Sequence, residues 1–322
     1  MNKELRKKTF LKPLFVVRDW LMKNFHLYKM KATLKRKFFL WRLMIEDYAK
    51  KKRINREIYA MPDNQFNSPI VVDDVIVSLT SYGKRVIDVL PYALYSLITQ
   101  IQRPKKIVVY LDWDHWNDNK LPKILKKIQK IGVDFRYCED IRSFKKLIPT
   151  LKDFPNNPIV TVDDDMYYHP LFVKNVQAAY LASDRNTVLG YEGVRPSSSN
   201  GRYCLYNKWG KGTIDDKDNA ISFIGYEGVC YPPNIFDDEI LNKSLFMHLC
   251  PSADDIWFWA MEERQNIKKA YILPFLKHPY VNRCEEYWEN AQDTLMYINC
   301  KEGHNNGQLE AVVEHYGLKP RE

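Results

Sequence analysis

Ile159-Val160-Thr161-Val162-Asp163-Asp164-Asp165 is the stretch that decides the fold, because a β-branched apolar run ends abruptly in three carboxylates. Such a run predicts a buried parallel strand, which packs against apolar neighbours on both faces. Three adjacent acids repel one another unless positive charge lies among them, and a divalent cation with oxygen ligands meets that need. Ligands of open α/β sheets bind at the carboxyl ends of strands. The stretch therefore predicts a site for a metal ion and a phosphorylated ligand, with a solvated acidic turn as the alternative.

The residues around this stretch alternate between strand-like and helix-like patterns. The predicted strands cover residues 75–80, 106–111 and 133–137, and the predicted helices cover 90–99, 124–131, 143–152 and 171–182. This alternation predicts an α/β fold with a Rossmann-like, mostly parallel sheet flanked by helices. Residues 191–220 are rich in Gly, Ser, Asn, Asp and Lys and are predicted to form a mobile loop over the site.

The composition of the 322 residues, 45% hydrophobic and 28% charged, is typical of a globular protein. The six cysteines show no Cys-x-x-Cys spacing, which disfavours a zinc site and a disulfide scaffold and fits a reducing compartment. No segment approaches the ~20 apolar residues of a membrane-spanning helix. The amino terminus lacks the pattern of a signal peptide.

The positive charge of the chain is concentrated at its amino terminus. Residues 1–57 carry 18 Lys and Arg against 5 Asp and Glu, a net of +13, whereas the rest of the chain has a net of −4. Apolar residues recur at helical spacing between Phe10 and Leu21, so residues 1–60 are predicted to be a basic amphipathic helical arm. Bulky aromatic residues beside basic ones suit an anionic membrane surface, bound through residues 1–58. The alternative is a helical pair packed on the body or on a partner protein. No nucleic-acid partner is predicted, because no recognition motif accompanies the charge.

Two basic segments are candidates for contacting a phosphorylated ligand. The turn Tyr82-Gly83-Lys84-Arg85 directly follows the first predicted strand, where Arg85 can make charge-assisted hydrogen bonds to a base or a pyrophosphate. An ordinary exposed basic turn is the alternative. Upstream of the acidic stretch, Lys145-Lys146 is expected to present one lysine to solvent and the other to the ligand.

A second acidic pair, Asp254-Asp255, precedes the apolar run Ile256-Trp257-Phe258-Trp259. In one interpretation, Ser252 caps a helix and the two acids stabilise its first turn. In the other, one carboxylate is a general base near a substrate hydroxyl. His278 is a candidate third metal ligand, although a single histidine is more often structural.

Four segments, taken in order, resemble those of bacterial glycosyltransferases with the GT-A fold, of the kind that build capsular polysaccharide or lipopolysaccharide. They are Ser78-Leu79-Thr80-Ser81-Tyr82, Phe144-Lys145-Lys146-Leu147-Ile148-Pro149, the Asp-x-Asp motif within Val162–Asp165, and Ala253-Asp254-Asp255. The predicted division of the chain is an arm over residues 1–60, a GT-A domain over residues 73–300 and a C-terminal tail over residues 301–322.

The resemblance implies transfer of a hexose-type sugar from a nucleotide-sugar donor to a hydroxyl of a glycan or lipid-linked acceptor. The donor-binding residues it implies are Thr80, Tyr82, Arg85, Lys146, Asp163 and Asp164. The metal, Mn²⁺ or Mg²⁺, would be held by Asp165, with Asp163 and His278 as further ligands. In inverting members the last acid of a late pair deprotonates the acceptor, which corresponds to Asp255, with Asp254 as its neighbour. The resemblance favours inversion and leaves a retaining mechanism open.

Together these features predict a metal-dependent glycosyltransferase of surface polysaccharide synthesis, held peripherally by its arm at the cytoplasmic face of the cell membrane. A sugar nucleotidyltransferase is one alternative. It is disfavoured because the turn after the first strand contains the single glycine Gly83 instead of a glycine-rich phosphate loop. A catalytically inactive, membrane-associated scaffold of the same fold is the other, and a scaffold has no need of repelling carboxylates at a strand end.

Overall fold

The computed structural model describes residues 25–65, 74–213, 221–272, 282–283 and 297–320. The chain divides into two compact units, residues 1–53 and residues 54–322.

The first unit is described from Phe25 onward, where helix α1 (Phe25–Ala60) begins. Trp41, Ile45 and Tyr48 are spaced one turn apart on this helix and are exposed. The predicted arm is thus helical over its described residues, and residues 1–24 lie outside them. Among the helices that the structure describes, none has both the length and the apolar character needed to cross a membrane.

The second unit is built on a seven-stranded sheet with the order β13-β6-β12-β4-β1-β2-β3. In chain order the strands are β1 (Ile76–Thr80), β2 (Lys106–Asp112), β3 (Asp134–Cys138), β4 (Ile159–Thr161), β5 (Met166–Tyr167), β6 (Thr187–Gly190), β7 (Gly193–Arg195), β8 (Ser198–Ser199), β9 (Arg202–Tyr203), β10 (Gly210–Lys211), β11 (Ser222–Phe223), β12 (Val229–Tyr231), β13 (Lys268–Tyr271) and β14 (Asn282–Arg283).

Helices cover both faces of this sheet. After α1 the α-helices are α2 (Arg85–Asp88), α3 (Leu90–Ile98), α4 (Lys123–Ile131), α5 (Ile148–Asp153), α6 (Phe172–Ala182), α7 (Lys243–Leu249), α8 (Asp254–Arg264) and α9 (His304–Tyr316). Short 3₁₀ helices cover Arg142–Lys146, Tyr206–Lys208, Gly225–Glu227 and Asp238–Leu241, and a π-helix covers Tyr297–Lys301.

Most neighbouring strands of the sheet run parallel. The pairs β1–β2, β2–β3, β1–β4 and β6–β13 are parallel, and only β12 runs antiparallel, to both β4 and β6. The predicted α/β fold with a mostly parallel sheet flanked by helices is therefore confirmed. The antiparallel strand was not predicted.

Successive residues of the central strands enter two different hydrophobic cores. In β2, Val109 and Leu111 pack into the core formed with α3, α4 and α6, whereas Val108 and Tyr110 pack into the core formed with α7, α8 and α9. A strand buried on both faces is therefore mostly apolar, and a buried polar residue such as Ser78 is hydrogen-bonded, here to Thr150. For this reason acidic side chains appear where the strands end.

The direction of β12 brings distant segments to one edge of the sheet. Val229, the first residue of β12, lies opposite Thr161 at the end of β4 and Gly190 at the end of β6. The 3₁₀ helix Gly225–Glu227 therefore lies at the same edge as the residues that follow β1 and β4. This edge carries the candidate site.

Two local predictions differ from the structure. The helix predicted over 143–152 is split at Leu147 into a 3₁₀ helix and α5, because Pro149 lacks the N–H that a continuous helix would need and is tolerated only in a first turn. The mobile loop predicted over 191–220 was wrong for residues 191–213. There β7 pairs with β10 and β11, β8 pairs with β9, and the buried Trp209 anchors the segment. Residues 214–220 lie outside the described residues.

The residues predicted as a C-terminal tail contain α9. Its Leu309 and Val312 are buried in the same core as α8. This helix also supports the residues around the start of α8, as described below.

Candidate active site

The acidic triplet forms a turn between β4 and β5 and does not continue the strand. The Asp164 side chain is 7% exposed, whereas Asp163 and Asp165 are 34% and 27% exposed. The two outer carboxylates therefore face the open edge of the sheet, and the middle one faces the interior. Because β4 ends at Thr161, the alternation of exposed and buried carboxylates comes from the turn and not from a strand.

Asp164 holds the acidic turn to the turn that follows β1. Its carboxylate accepts hydrogen bonds from Ser81 Oγ at 2.5 Å and from Arg85 Nε at 3.1 Å, and a further one from Arg85 Nη2. Arg85 Nη2 also lies 3.0 Å from Asp165 Oδ2. Burial alone would lower the pKa of Arg85, but the charges of Asp164 and Asp165 outweigh burial and raise it. The guanidinium predicted to bind a donor thus also holds the acidic turn in place.

Lys146 joins the acidic triplet to the late acidic pair. Its side chain is 6% exposed, and its Nζ lies 3.1 Å from Asp163 Oδ1 and 3.1 Å from Asp254 Oδ2. Burial would lower the pKa of this ammonium, but Asp163, Asp254 and Asp255 raise it well above its usual value. Lys146 therefore stays charged.

Lys145 is buried too, with Nζ 2.5 Å from Asp140 Oδ1, so the expectation that one of the two lysines faces solvent was wrong.

The two late acids have different surroundings. Asp254 accepts a hydrogen bond from Ser143 Oγ at 2.8 Å and pairs with Lys146, so both of its oxygens are engaged. Among the described residues, Asp255 accepts one hydrogen bond, from the backbone N–H of Gly225 at 3.3 Å. Burial, and next the charge of Asp254, raise the pKa of Asp255 to about 7. Of the pair, Asp255 is the carboxylate suited to exchange a proton near neutral pH.

The predicted capping by Ser252 was wrong. Helix α8 begins after Ala253 without a side-chain cap, and Ser252 Oγ instead donates to Asn299 Oδ1 at 2.6 Å. The two acids do occupy the first turn of α8, where the positive end of the helix dipole favours carboxylates.

Gly225 allows Lys146 and Asp255 to approach the backbone closely. A Cβ atom at this position would lie 2.7 Å from Lys146 Nζ and 3.0 Å from Asp255 Oδ1. Tyr168 holds the segment of Gly225 in place through two hydrogen bonds. Its hydroxyl accepts from the N–H of Asp163 at 2.8 Å and donates to the carbonyl of Tyr226 at 2.9 Å. The 3₁₀ helix before β12 is thereby bound to the acidic turn.

A further carboxyl pair adjoins this helix. Tyr226 donates a hydrogen bond to Glu192, and burial together with the charge of Glu192 raises the pKa of Glu227 to about 7. Glu192, Glu227, Gly225 and Tyr168 were not predicted as site residues. Gly225 and Glu227 are placed here by β12, whose antiparallel direction was not predicted.

The other predicted site residues are Thr80, Tyr82 and His278. The Thr80 hydroxyl donates to the Tyr110 carbonyl at 2.8 Å, and the exposed Tyr82 ring lies 5.6 Å from the Arg85 guanidinium. Both belong to the edge after β1. His278 lies outside the described residues. Asp112, which was not predicted, ends β2 at the same edge and lies 2.5 Å from the His115 ring.

The carboxylates of the acidic turn fit a divalent cation that is completed by a ligand. Within the described residues, no group of three or more His, Cys, Asp or Glu side chains is arranged to hold a metal ion. Asp163 and Asp165 nevertheless offer two partly exposed carboxylates, and Mg²⁺ is commonly held by one or two carboxylates plus substrate phosphates and water. Burial, and then the charge of Asp164, raise the pKa of Asp165 despite its contact with Arg85. Arg85 therefore does not fully offset the negative charge around Asp165, and an additional cation would be stabilised there.

Comparisons with known proteins give structural likeness only. No protein-family model and no curated protein sequence matches the chain. Among solved structures it is similar to S. aureus TarS 1–349 in complex with UDP, at 17% identity over 76% of this chain and 72% of that one, with a TM-score of 0.41. It is similar to CMP:2-keto-3-deoxy-manno-octonic acid synthetase complexed with CTP, at 10% identity over 61% and 87% of the two chains, with a TM-score of 0.38. It is also similar to glucosyl-3-phosphoglycerate synthase from Mycobacterium tuberculosis in complex with Mn²⁺, UDP and glucosyl-3-phosphoglycerate, at 14% identity over 37% and 44%, with a TM-score of 0.29.

Replacing Lys146 tests whether its charge holds the site together. Lys146→Met leaves Asp163 and Asp254 without their shared cation, and we expect a loss of about 3–5 kcal/mol in the free energy of unfolding. Lys145→Met is the matched control, since its partner Asp140 is 52% exposed and can return to water, so about 1 kcal/mol is expected from that ion pair. Denaturant unfolding measures both. Equal losses in the two variants would contradict the role given to Lys146.

The raised pKa of Asp255 predicts a pH-dependent gain in stability when this carboxyl is removed. Protonated Asp255 stabilises the folded state, and this contribution is complete below about pH 4 and is lost as pH rises to about 7. Asp255→Asn should therefore melt progressively higher than the unmodified protein between pH 4 and 8, by about 2–4 °C per kcal/mol. Calorimetry across this range measures the difference. The exposed Asp114→Asn is the control and should change the melting temperature little, as surface substitutions usually do.

Proposed function

We propose that this chain is a metal-dependent glycosyltransferase of the GT-A type, which moves a sugar from a nucleotide-sugar donor to a hydroxyl of a glycan or lipid-linked acceptor. The observation that supports it is the position of Lys146, with Asp163 of the acidic turn on one side and the Asp254–Asp255 pair on the other. A site with carboxylates for a metal on one side and a carboxylate of pKa about 7 on the other suits transfer from a diphosphate to a hydroxyl.

On the donor side, Asp163 and Asp165 would hold Mn²⁺ or Mg²⁺, which when bound neutralises charge on the departing diphosphate. The turn after β1, with Thr80, Tyr82 and Arg85, lies at the same edge and would contact the nucleotide. Asp164, fully engaged with Ser81 and Arg85, would keep the two turns at a fixed spacing. Holding the reactants in one geometry is itself a large part of such catalysis.

On the acceptor side, Asp255 would act as the general base. Its carboxylate takes the proton of the acceptor hydroxyl, the hydroxyl oxygen forms a bond to the anomeric carbon, and the bond from that carbon to the diphosphate oxygen breaks. The electron pair of the broken bond leaves with the nucleoside diphosphate. Attack from the face opposite the leaving group inverts the anomeric centre. Asp254 would serve as a positioning residue, since Ser143 and Lys146 hold both of its oxygens.

Activity measurements on the full chain test this proposal. Purified protein is incubated with Mn²⁺ and a panel of UDP-, GDP- and CMP-sugars, and release of the nucleotide product is followed with water or a glycan mixture as acceptor. We expect Asp165→Ala to abolish both hydrolysis and transfer. We expect Asp255→Asn to lower transfer by about 10²–10⁴-fold, the usual contribution of a general base.

The exposed Asp114→Asn, at the same edge but without a role in the reaction, is the control and should keep full activity. Full activity of Asp165→Ala would reject the role of the acidic turn. Release of pyrophosphate from a nucleoside triphosphate and a sugar phosphate, with no consumption of any nucleotide sugar, would instead identify a nucleotidyltransferase.

The arm would place this reaction at the cytoplasmic face of a bacterial membrane, where lipid-linked precursors of capsule or lipopolysaccharide are elongated. The described part of α1 supports this role because Trp41, Ile45 and Tyr48 are exposed one turn apart, and the run Lys50-Lys51-Lys52-Arg53 follows them. Apolar side chains entering the headgroup region beside several lysines are typical of interfacial helices.

Vesicle binding tests the role of the arm. The full chain should co-sediment with vesicles containing phosphatidylglycerol and bind much less to pure phosphatidylcholine vesicles or at 0.5 M salt, because each basic residue near an anionic surface contributes about 1 kcal/mol. Replacing Lys50, Lys51, Lys52 and Arg53 by Gln should reduce binding at least tenfold. The same four-Gln change should leave donor hydrolysis in solution unaffected. Equal binding to neutral and anionic vesicles would overturn the proposal.

A further inference from the structure

Four aromatic rings pack together next to Asp255. They belong to Tyr203, Tyr206, Trp209 and Trp259. Trp259 follows Asp255 by one turn of α8 and so lies on the same face of the helix. Its ring centroid is 5.1 Å from that of Trp209, which in turn lies 5.0 Å from that of Tyr206. The helix that carries the candidate base therefore also positions the ring cluster.

Three of the four rings are fixed by contacts within the protein. Trp259 and Trp209 are buried, and the Trp209 indole N–H donates to the Cys204 carbonyl at 3.0 Å. The Tyr203 hydroxyl donates to the Lys319 carbonyl at 3.3 Å. These rings pack against one another and form a rigid support.

Tyr206 differs from the other three rings. It is half-buried, one side of it rests on Trp209, and its hydroxyl has no hydrogen-bond partner among the described residues. Burial, and then the charge of Asp255, raise the pKa of this hydroxyl, so it stays protonated at neutral pH. A flat ring with a free hydroxyl therefore lies within electrostatic reach of the candidate base.

The π-helix and α9 are hydrogen-bonded to the start of α8. Asn299, in the π-helix, donates to the Ser252 carbonyl at 2.7 Å, and Gln308 of α9 accepts from the Ser252 N–H at 2.9 Å. The exposed Cys300 follows Asn299 in the same π-helix. The start of α8, which carries Asp255, is thus held by a polar segment on one side and followed by the ring of Trp259 one turn later.

We propose that Tyr206 is the platform on which the acceptor stacks, and that the acceptor is a sugar in its pyranose ring form. The inference rests on the proposed function and names the substrate class of the same site. A pyranose has apolar C–H faces that pack on an aromatic ring, and hydroxyls at its edge that bind a carboxylate and a phenol. An open-chain polyol has no flat face to match the Tyr206 ring, which rests on Trp209. Stacking on Tyr206 would direct an edge hydroxyl of the sugar toward Asp255.

Saturation-transfer NMR on the full chain, without any donor, tests the inference. The probes are the methyl β-D-pyranosides of glucose, galactose and N-acetylglucosamine, with sorbitol and glycerol 3-phosphate as open-chain comparators. We expect transfer to the ring C–H protons of at least one pyranoside and at least fivefold less to sorbitol and glycerol 3-phosphate. The signal should fall at least fivefold in Tyr206→Ala and in Tyr206→Leu, the second of which keeps an apolar contact with Trp209.

Tyr206→Trp and Tyr206→Phe should keep most of the signal, because both retain the ring. Leu205→Ala, at the exposed neighbouring residue, is the matched control and should bind like the unmodified protein. Absence of transfer to every pyranoside, equal transfer to sorbitol, or an unchanged signal in Tyr206→Leu would overturn the inference.

The result of this binding experiment can be distinguished from the result of the activity measurements that test the proposed function. If nucleotide sugars are not consumed but pyranosides bind through Tyr206, the transferase proposal fails and the sugar platform stands. If nucleotide sugars are consumed in the Asp165-dependent manner while pyranoside binding is independent of Tyr206, only the platform is refuted.

Discussion

The site depends on one buried positive charge. The Lys146 ammonium is almost wholly removed from water and is kept charged by carboxylates from two segments about ninety residues apart in the chain, Asp163 and Asp254. Each of these carboxylates would be costly to bury alone, and the ammonium offsets that cost for both at once. Lys146 thereby fixes the distance between the acidic turn and the start of α8, which are the two halves of the proposed reaction centre.

Arg85 likewise holds two segments together through ion pairs, on the other side of the acidic turn. Arg85 binds Asp164 through two nitrogens and also lies 3.0 Å from Asp165, and so joins the turn after β1 to the turn after β4. Arg85 and Lys146 thus supply part of the positive charge that the acidic turn was expected to obtain from a metal ion. Asp163 and Asp165 are partly exposed although each is ion-paired, and these are the carboxylates that would hold the proposed cation.

Sequence patterns predicted the parts of this structure that depend on neighbours in the chain. The strands β1, β2 and β4 were recognisable because a strand covered on both faces is mostly apolar, and the acids after β4 marked the edge of the sheet that carries the candidate site. Family resemblance named Lys146, Asp163 and Asp255 as site residues, and the structure places Lys146 3.1 Å from Asp163 and beside the late acidic pair. The roles of Ser143, Tyr168 and Gly225 were not anticipated, because each acts through a contact with a residue remote in sequence.

The amino-acid sequence by itself determined the class of fold, the end of the sheet at which charge collects, and the concentration of basic residues in the arm. These follow from the spacing of apolar residues and from local charge, which are properties of short segments. Only the tertiary structure decided that β12 runs antiparallel and brings Gly225 against Asp255, and that Asp255 titrates near neutral pH while Asp254 is held by Ser143 and Lys146. A pKa depends on burial and on charges a few ångströms away, and these are set by how distant segments pack.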